Sequence, residues 1–120
     1  MDPKEISGAF ARGVGQFNRR EFFDSHESWE AIWLAAPEPE KTFLQGIIQV
    51  AAAFHHFERG NREGAESLLR QGLVKLERFP EKYHGIRLEE LRLPARKWLA
   101  ALERGESPGR DSLPRIEWAE

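Results

Sequence analysis

A chain of 120 residues without cysteine is about one domain by size, long enough to bury a core unaided, and closed to disulfides, thiolate zinc sites, iron–sulfur clusters and cysteine nucleophiles. Its 40% hydrophobic and 32% charged residues lie in the globular range and outside the low-hydrophobicity signature of disorder. Eighteen Lys and Arg against twenty Asp and Glu leave a formal charge of −2, with bases interleaved among acids, so no nucleic-acid partner is expected.

The N-terminal MDPKEISGAF lacks the basic-then-apolar order of a secretory signal. Asp2 can cap a helix, Pro3 suits its first position, and Glu5 complements the macrodipole. This first helix is predicted to run to about Phe17. Gly8, Gly13 and Gly15 make it intrinsically weak, so packing through Ile6, Phe10, Val14 and Phe17 must hold it. Gly13-Val-Gly15 is no nucleotide loop, since Asn18 takes the third glycine position and no strand precedes it.

A second helix is predicted from about Glu21 to Ala35, ending before Pro37-Glu-Pro39. Pro39 opens a third, about 39–59, which stops at Gly60 and is apolar nearly all round. Its apolar run, Ile47 to Phe54, is broken by Gln49 and far too short to span a bilayer. Asn61 caps a fourth, Arg62 to about Phe79, with Ala65, Leu68, Leu69, Gly72, Leu73 and Leu76 on one face. Leu88 to Leu91 reads as a single helical turn and Pro94 as the start of another helix, closed by Gly105. The remaining residues, with Pro108, Gly109 and Pro114, are expected to be an irregular strap or tail in which Ile116 and Trp118 favour docking. The expected fold is therefore all-α: a small up-and-down bundle of about five helices around a central buried one, with a domain at 1–105 and a C-terminal strap at 106–120.

The stretch HESWEAIW, residues 26–33, carries the chemistry. A helical projection places Phe22, His26, Trp29, Glu30 and Trp33 on one face, with Glu30 one turn above His26 and Glu27 on the flank. The two tryptophans read as core. On the third helix Thr42, Gln45, Gln49 and His56 form a polar stripe beside the small Gly46, Ala52 and Ala53. Buried polar groups need partners, so one network of His26, Glu27, Glu30, Gln45, Gln49 and His56 is expected between the two helices, with a small ligand or a partner segment as its occupant. His55, turned toward Leu44 and Ile48, reads as packing. A competing reading is a metal-assisted hydrolase with His26, Glu30 and His56 as ligands and Glu27 as base. His26-Glu27-Ser28-Trp29-Glu30 has only half of the zinc-protease helix motif, and no Glu-x-x-His di-iron pattern occurs. No cofactor is expected.

These residues carry a resemblance. Phe17-Asn18, Phe22-Phe23, His26-Glu27-x-x-Glu30-x-x-Trp33, Phe43-Leu44-Gln45-Gly46-Ile47-Ile48-Gln49, Ala52-Ala53 with His56, Arg59-Gly60-Asn61, Gly64-Ala65 and Leu68-Leu69 together resemble the helical family catalogued as domain of unknown function 309, over about residues 9 to 80. The resemblance implies a small helical bundle of bacterial and plastid proteins and implies no activity. Ser28-Trp29 departs from it in a slot expected to be aliphatic. The chain thus reads as a soluble cytoplasmic helical module with no membrane partner, its oligomeric state, homo-oligomer included, left open.

Overall fold

The computed structural model describes residues 1–120. Five helices follow one another: α1 (Pro3–Asn18), α2 (Phe22–Trp33), α3 (Glu40–Glu58), α4 (Arg62–Leu76) and α5 (Leu88–Glu103), before a 3-10 turn at Arg110–Ser112. No strand forms, and the all-α bundle expected from the sequence is the fold. No helix is long and apolar enough to cross a membrane.

The helix starts follow from their caps. The Asp2 carboxylate accepts the Glu5 N–H at 2.8 Å, and the Asn61 side chain accepts the Gly64 N–H at 2.9 Å. Gly60, at φ +83°, supplies the left-handed residue that lets α3 turn directly into α4. α3 is the central element, packed between α2 and α4, and it buries Phe43, Ile47, Val50, Ala51 and Phe54.

Glycine governs both close helix crossings. A Cβ on Gly72 would stand 2.8 Å from the Gly46 carbonyl oxygen, and one on Gly46 equally close to the Leu76 side chain, so α3 and α4 meet backbone to backbone. At the α1–α2 crossing the indole of Trp29 occupies the space that a side chain at position 13 would need.

That second crossing corrects the expected orientation of α2. Its inward residues are Phe22, Ser25, Ser28, Trp29 and Ile32, while Glu30 is exposed and Trp33 only partly buried. The rotation has a polar cause: Ser25 donates its hydroxyl to the Gly13 carbonyl at 2.9 Å, and Ser28 to the Gln16 side chain at 2.6 Å. Serines count as polar in a hydrophobic pattern, yet against a glycine-lined helix they are small enough to face inward and find partners. Ile6, expected in the core, is 38% exposed.

Pro94 does not begin a helix; it lies inside α5, which runs unbroken from Leu88. Proline removes the donor to the carbonyl four residues earlier, and here that residue is the exposed Glu90, whose carbonyl water can satisfy. α4 in turn stops at Leu76, short of the expected Phe79, and Arg92 bonds its last carbonyl and two carbonyls of the turn that follows. This side chain belongs to a residue only 4% exposed and donates to the carbonyls of Leu76 (2.6 Å), Phe79 (2.7 Å) and Pro80 (3.3 Å), with Glu89 on its Nε at 2.7 Å.

After α5 the chain lies back along the bundle. Leu113 and Ile116 join the main core cluster. The Asn18 amide brackets Ile116, donating to its carbonyl and accepting its N–H, both at 2.8 Å. Trp98 donates its indole N–H to the Ser112 carbonyl, and the backbone of Gly85 and Arg87 pairs with that of Ala119 and Glu117.

Candidate functional site

His26 sits on the flank of α2 that faces α3, not at the centre of the buried face. Its Nε2 lies 2.9 Å from a Glu30 oxygen, the expected pairing one turn apart. The nearest Glu27 oxygen is 4.0 Å from Nδ1, beyond hydrogen-bonding range. Both carboxylates are well exposed, so His26 and Glu30 form a pair at the protein surface with its inner edge covered.

The expected partners on α3 go elsewhere. Gln49 faces α4: it donates to Gln71 at 3.2 Å and accepts from the Lys75 ammonium at 2.9 Å. Thr42 bonds the Glu38 carboxylate through both its N–H and its hydroxyl. Gln45 makes no side-chain hydrogen bond to another protein group. His56 approaches Asn61 at 3.1 Å between Nδ1 and the amide nitrogen. A single hydrogen-bonded network across His26, Glu27, Glu30, Gln45, Gln49 and His56 is therefore not what the geometry contains. The reason is the Gly46–Gly72 crossing, which draws α4 so close to α3 that the glutamine stripe becomes the rim of that interface rather than the wall of a hollow facing α2.

What α2 and α3 do enclose is a pocket of about 120 Å³ lined by Phe23, His26, Ala52, His55 and His56. Two of the predicted residues, His26 and His56, meet here. The third imidazole, His55, expected to pack toward Leu44 and Ile48, turns to α2. Its ring lies 5.2 Å from Phe23 and 5.9 Å from His56, while Phe23, itself exposed, stacks on His26 at 6.0 Å. Adjacent histidines at the end of an apolar helix, opposite another histidine one turn into the neighbouring helix, are the signal that could have indicated it. Burial, then the nearby Arg59 and His56 charges, push the His55 imidazole below its ordinary pKa.

Two properties limit what this arrangement can do. No group of His, Asp or Glu side chains is gathered so that three of them could hold one metal ion, so His26, Glu30 and His56 are not brought together as a ligand set. Second, Nε2–H donation to Glu30 makes Nδ1 the remaining acceptor of a neutral His26 ring, and Nδ1 is buried with no partner. The pair fixes the orientation of the His26 ring at the edge of the pocket.

An all-α bundle with a histidine-lined pocket between its second and third helices is the class of protein that this fold and site define. Residues 10–68 match the model of the family described as "Domain of unknown function (DUF309)", and over this stretch, which spans α1, α2, α3 and the start of α4, the chain resembles that family. It is also 31% identical over 93 residues to an uncharacterized protein of Aquifex aeolicus, an alignment covering 77% of this chain and 28% of the relative. The uncharacterized protein YpuF of Bacillus subtilis is 37% identical over 51 residues, 42% of this chain and 29% of the relative. Both relatives are bacterial, and the chain spans under a third of the length of each.

Proposed function

We propose that the chain is a binding module: a helical scaffold that uses the pocket of His26, His55 and His56, with Phe23 at its lip and Glu27 and Glu30 beside it, to hold a small ligand or a partner segment without turning it over. The supporting observation is the placement of imidazoles from two helices around one small opening, combined with a His26–Glu30 pair that fixes the His26 ring at its edge. Such a site offers imidazole edges and an aromatic face without a converging metal ligand set. Gln45 and Gln49 belong in this reading to the α3 surface and the α3–α4 seam.

The test is a screen of polar and aromatic fragments against protein labelled at the histidine rings. A fragment that binds in the pocket moves the His26, His55 and His56 resonances together, and a His55→Ala, His56→Ala variant loses that response while keeping its helical circular dichroism. Absence of any joint response, or an unchanged response in the double variant, overturns the reading. Protein purified without a metal-affinity tag separates the alternative: stoichiometric metal, or a thermal shift with zinc, manganese or iron that depends on His26, Glu30 and His56, would replace the binding module by the metal-assisted hydrolase.

A further inference from the structure

The polar atoms of the histidine pocket have their roles set from outside it. The Asn61 side-chain oxygen accepts the Gly64 N–H at 2.9 Å, which turns the amide nitrogen, a donor only, to within 3.1 Å of Nδ1 of His56. Nδ1 of His56 is therefore an acceptor, and its Nε2 carries the hydrogen. His26 is committed differently, with Nε2 on Glu30 and Nδ1 covered. His55 makes no side-chain hydrogen bond within the protein, yet the side-chain atoms that are both buried and unpartnered are only Nδ1 of His26 and Nε1 of Trp33. The nitrogens of His55 and Nε2 of His56 are thus open. The pocket keeps one fixed donor, His56 Nε2–H, and beside it, 5.9 Å away between ring centroids, a His55 ring free to take either tautomer. Burial holds the His55 imidazole below its ordinary pKa, so at neutral pH it offers one donor and one acceptor.

Size and charge narrow the occupant further. The wall consists of Phe23, His26, Ala52, His55 and His56, with no carboxylate, ammonium or guanidinium in it. An apolar cavity of about 150 Å³ holds one benzene ring. About 120 Å³, opening past the half-exposed Phe23, has room for one ring and no more. Arg59 and Glu58 oppose each other at His55, whereas Glu27 and Glu30 beside His26 have no such counterweight and disfavour an anion. A cation brings only donors, and it meets the fixed N–H of His56.

We propose that the histidine pocket, in the binding role argued above on which this assignment rests, takes one uncharged phenol ring, either a free phenol or the side chain of a tyrosine on a partner segment. The hydroxyl oxygen accepts from His56 Nε2–H and gives its hydrogen to the bare nitrogen of His55, while the ring stands against Phe23 and Ala52. A hydroxyl answers a donor and an acceptor with a single atom; a hydrocarbon ring answers neither and leaves both dry and unpaired.

The full chain, labelled at the histidine rings, is titrated at neutral pH with p-cresol, p-xylene, benzoate and benzylamine. p-Cresol is expected to shift the His55 and His56 ring nitrogens saturably and to leave His84 still, because that ring lies elsewhere, 4.5 Å from Phe10 and stacked on Phe43 at 5.2 Å. p-Xylene, which has the same shape without the hydroxyl, and the two ions should each bind roughly tenfold more weakly or worse. His56→Phe keeps a ring in the wall and removes the donor, so p-cresol should fall to the level of p-xylene. Ala52→Leu fills the pocket and should abolish both, with helical circular dichroism unchanged in either variant. A blocked tripeptide with a central tyrosine separates the two sources: a response like that of p-cresol marks a partner's tyrosine, p-cresol alone marks a free phenol, and both support the assignment. p-Xylene or either ion binding as tightly as p-cresol, unchanged affinity in His56→Phe, or rings that answer other fragments but not p-cresol overturn the phenol and leave the binding module standing. Rings that no fragment moves overturn both.

Discussion

The indole of Trp29 rests on the bare backbone of Gly13, and its Nε1 donates to the Phe10 carbonyl one turn earlier on the same helix at 3.1 Å. A helix that looks weak in isolation is thus made by its neighbour: the glycine that costs helix propensity is the one that admits the largest buried side chain.

Gly13→Ala places a methyl in the indole ring, so Trp29 must move and lose its hydrogen bond. The gain in propensity, about 1 kcal/mol, does not offset overpacking at a rigid aromatic, and a net loss of about 2 to 3 kcal/mol is expected in chemical denaturation. Gly8→Ala is the control, because a Cβ there meets nothing within 4 Å. It should stabilise the protein by about 0.5 to 1 kcal/mol. Equal signs for the two substitutions would contradict the close-approach argument.

Arg92 is the second such dependency. Replacing it by leucine removes the guanidinium donors to the carbonyls of Phe79 and Pro80, leaves the Leu76 carbonyl with only the Phe79 N–H, and leaves Glu89 with only Arg96. The expected cost is about 3 kcal/mol, and Arg92→Lys should recover less than half of it because an ammonium cannot span the same set of acceptors. A lysine variant as stable as the parent would mean that charge, not the guanidinium fork, caps α4.

How much of this was legible in the sequence depends on what each residue was asked to report. Caps and breakers such as Asp2, Asn61 and Gly60 act within a few residues, and the helices they bound fall where expected. Orientation was harder to read. Hydrophobic patterning placed His26 and Glu30 inward and the serines outward, whereas the true face of α2 is set by Gly13, twelve residues before Ser25 and on another helix. Likewise Gly46 and Gly72 reveal their contact only when α3 and α4 are put together, and that contact moves Gln49 from the expected site to a pairing with Gln71 and Lys75. Pro94 misled because a proline's effect depends on whether the carbonyl it abandons is wet. His84 gave no local signal, since its neighbours Phe10 and Phe43 lie far away in sequence.

The hydrogen bonding of Gln49 changes a mutational expectation. If His26 and Gln49 shared one network, the double change to leucine would cost less than the sum of the single ones. With Gln49 bonded to α4 and His26 to Glu30, the two should be additive within about 0.5 kcal/mol, while Gln49→Leu and Lys75→Met should couple. A coupling energy above about 1 kcal/mol between His26 and Gln49 in the double-mutant cycle would restore the shared network.

Stability should fall on mild acidification. Burial lowers the pKa values of His84 and His55 from 6.5. The unfolded chain therefore binds protons that the folded one refuses, so the full stability exists above about pH 6.5 and is lost as pH drops below it toward the lower folded values. His84 alone can contribute a slope of at most about 1.4 kcal/mol per pH unit, reduced by solvent screening. Glu89, held low by hydrogen bonds from Arg96 and Arg92, acts in the same sense on a lower range: its contribution is present above 4.5 and is lost as pH falls below it. Between pH 6.5 and 5 the loss thus belongs to the histidines, and urea midpoints for His84→Phe should be flatter across that window than those of the parent. An unchanged slope would place the acid sensitivity elsewhere.

The C-terminal segment gives the strongest expected effect on stability. Ile116 is 1% exposed and Leu113 6%, and each fully buried aliphatic side chain is worth about 1.5 to 3 kcal/mol. Removing residues 106 to 120 also strands the Trp98 indole, which bonds Ser112, and the Asn18 amide, which brackets Ile116. Deletion should therefore cost about 4 to 6 kcal/mol, a large part of what a domain of this size possesses. Because the truncated chain can fail to fold altogether, Asn18→Ala is the graded test: it removes both clasps on Ile116 at once and should cost about 1 to 2 kcal/mol. In that variant amide exchange should quicken first at Ile116, Arg87 and Ala119, whose N–H groups close the contact between the strap and the bundle. Trp118 is half exposed in the folded protein, so its fluorescence reports docking less sensitively than those amides do. Uniform exchange across the whole chain, or a truncated protein as stable as the parent, would show that the strap lies on the bundle without holding it.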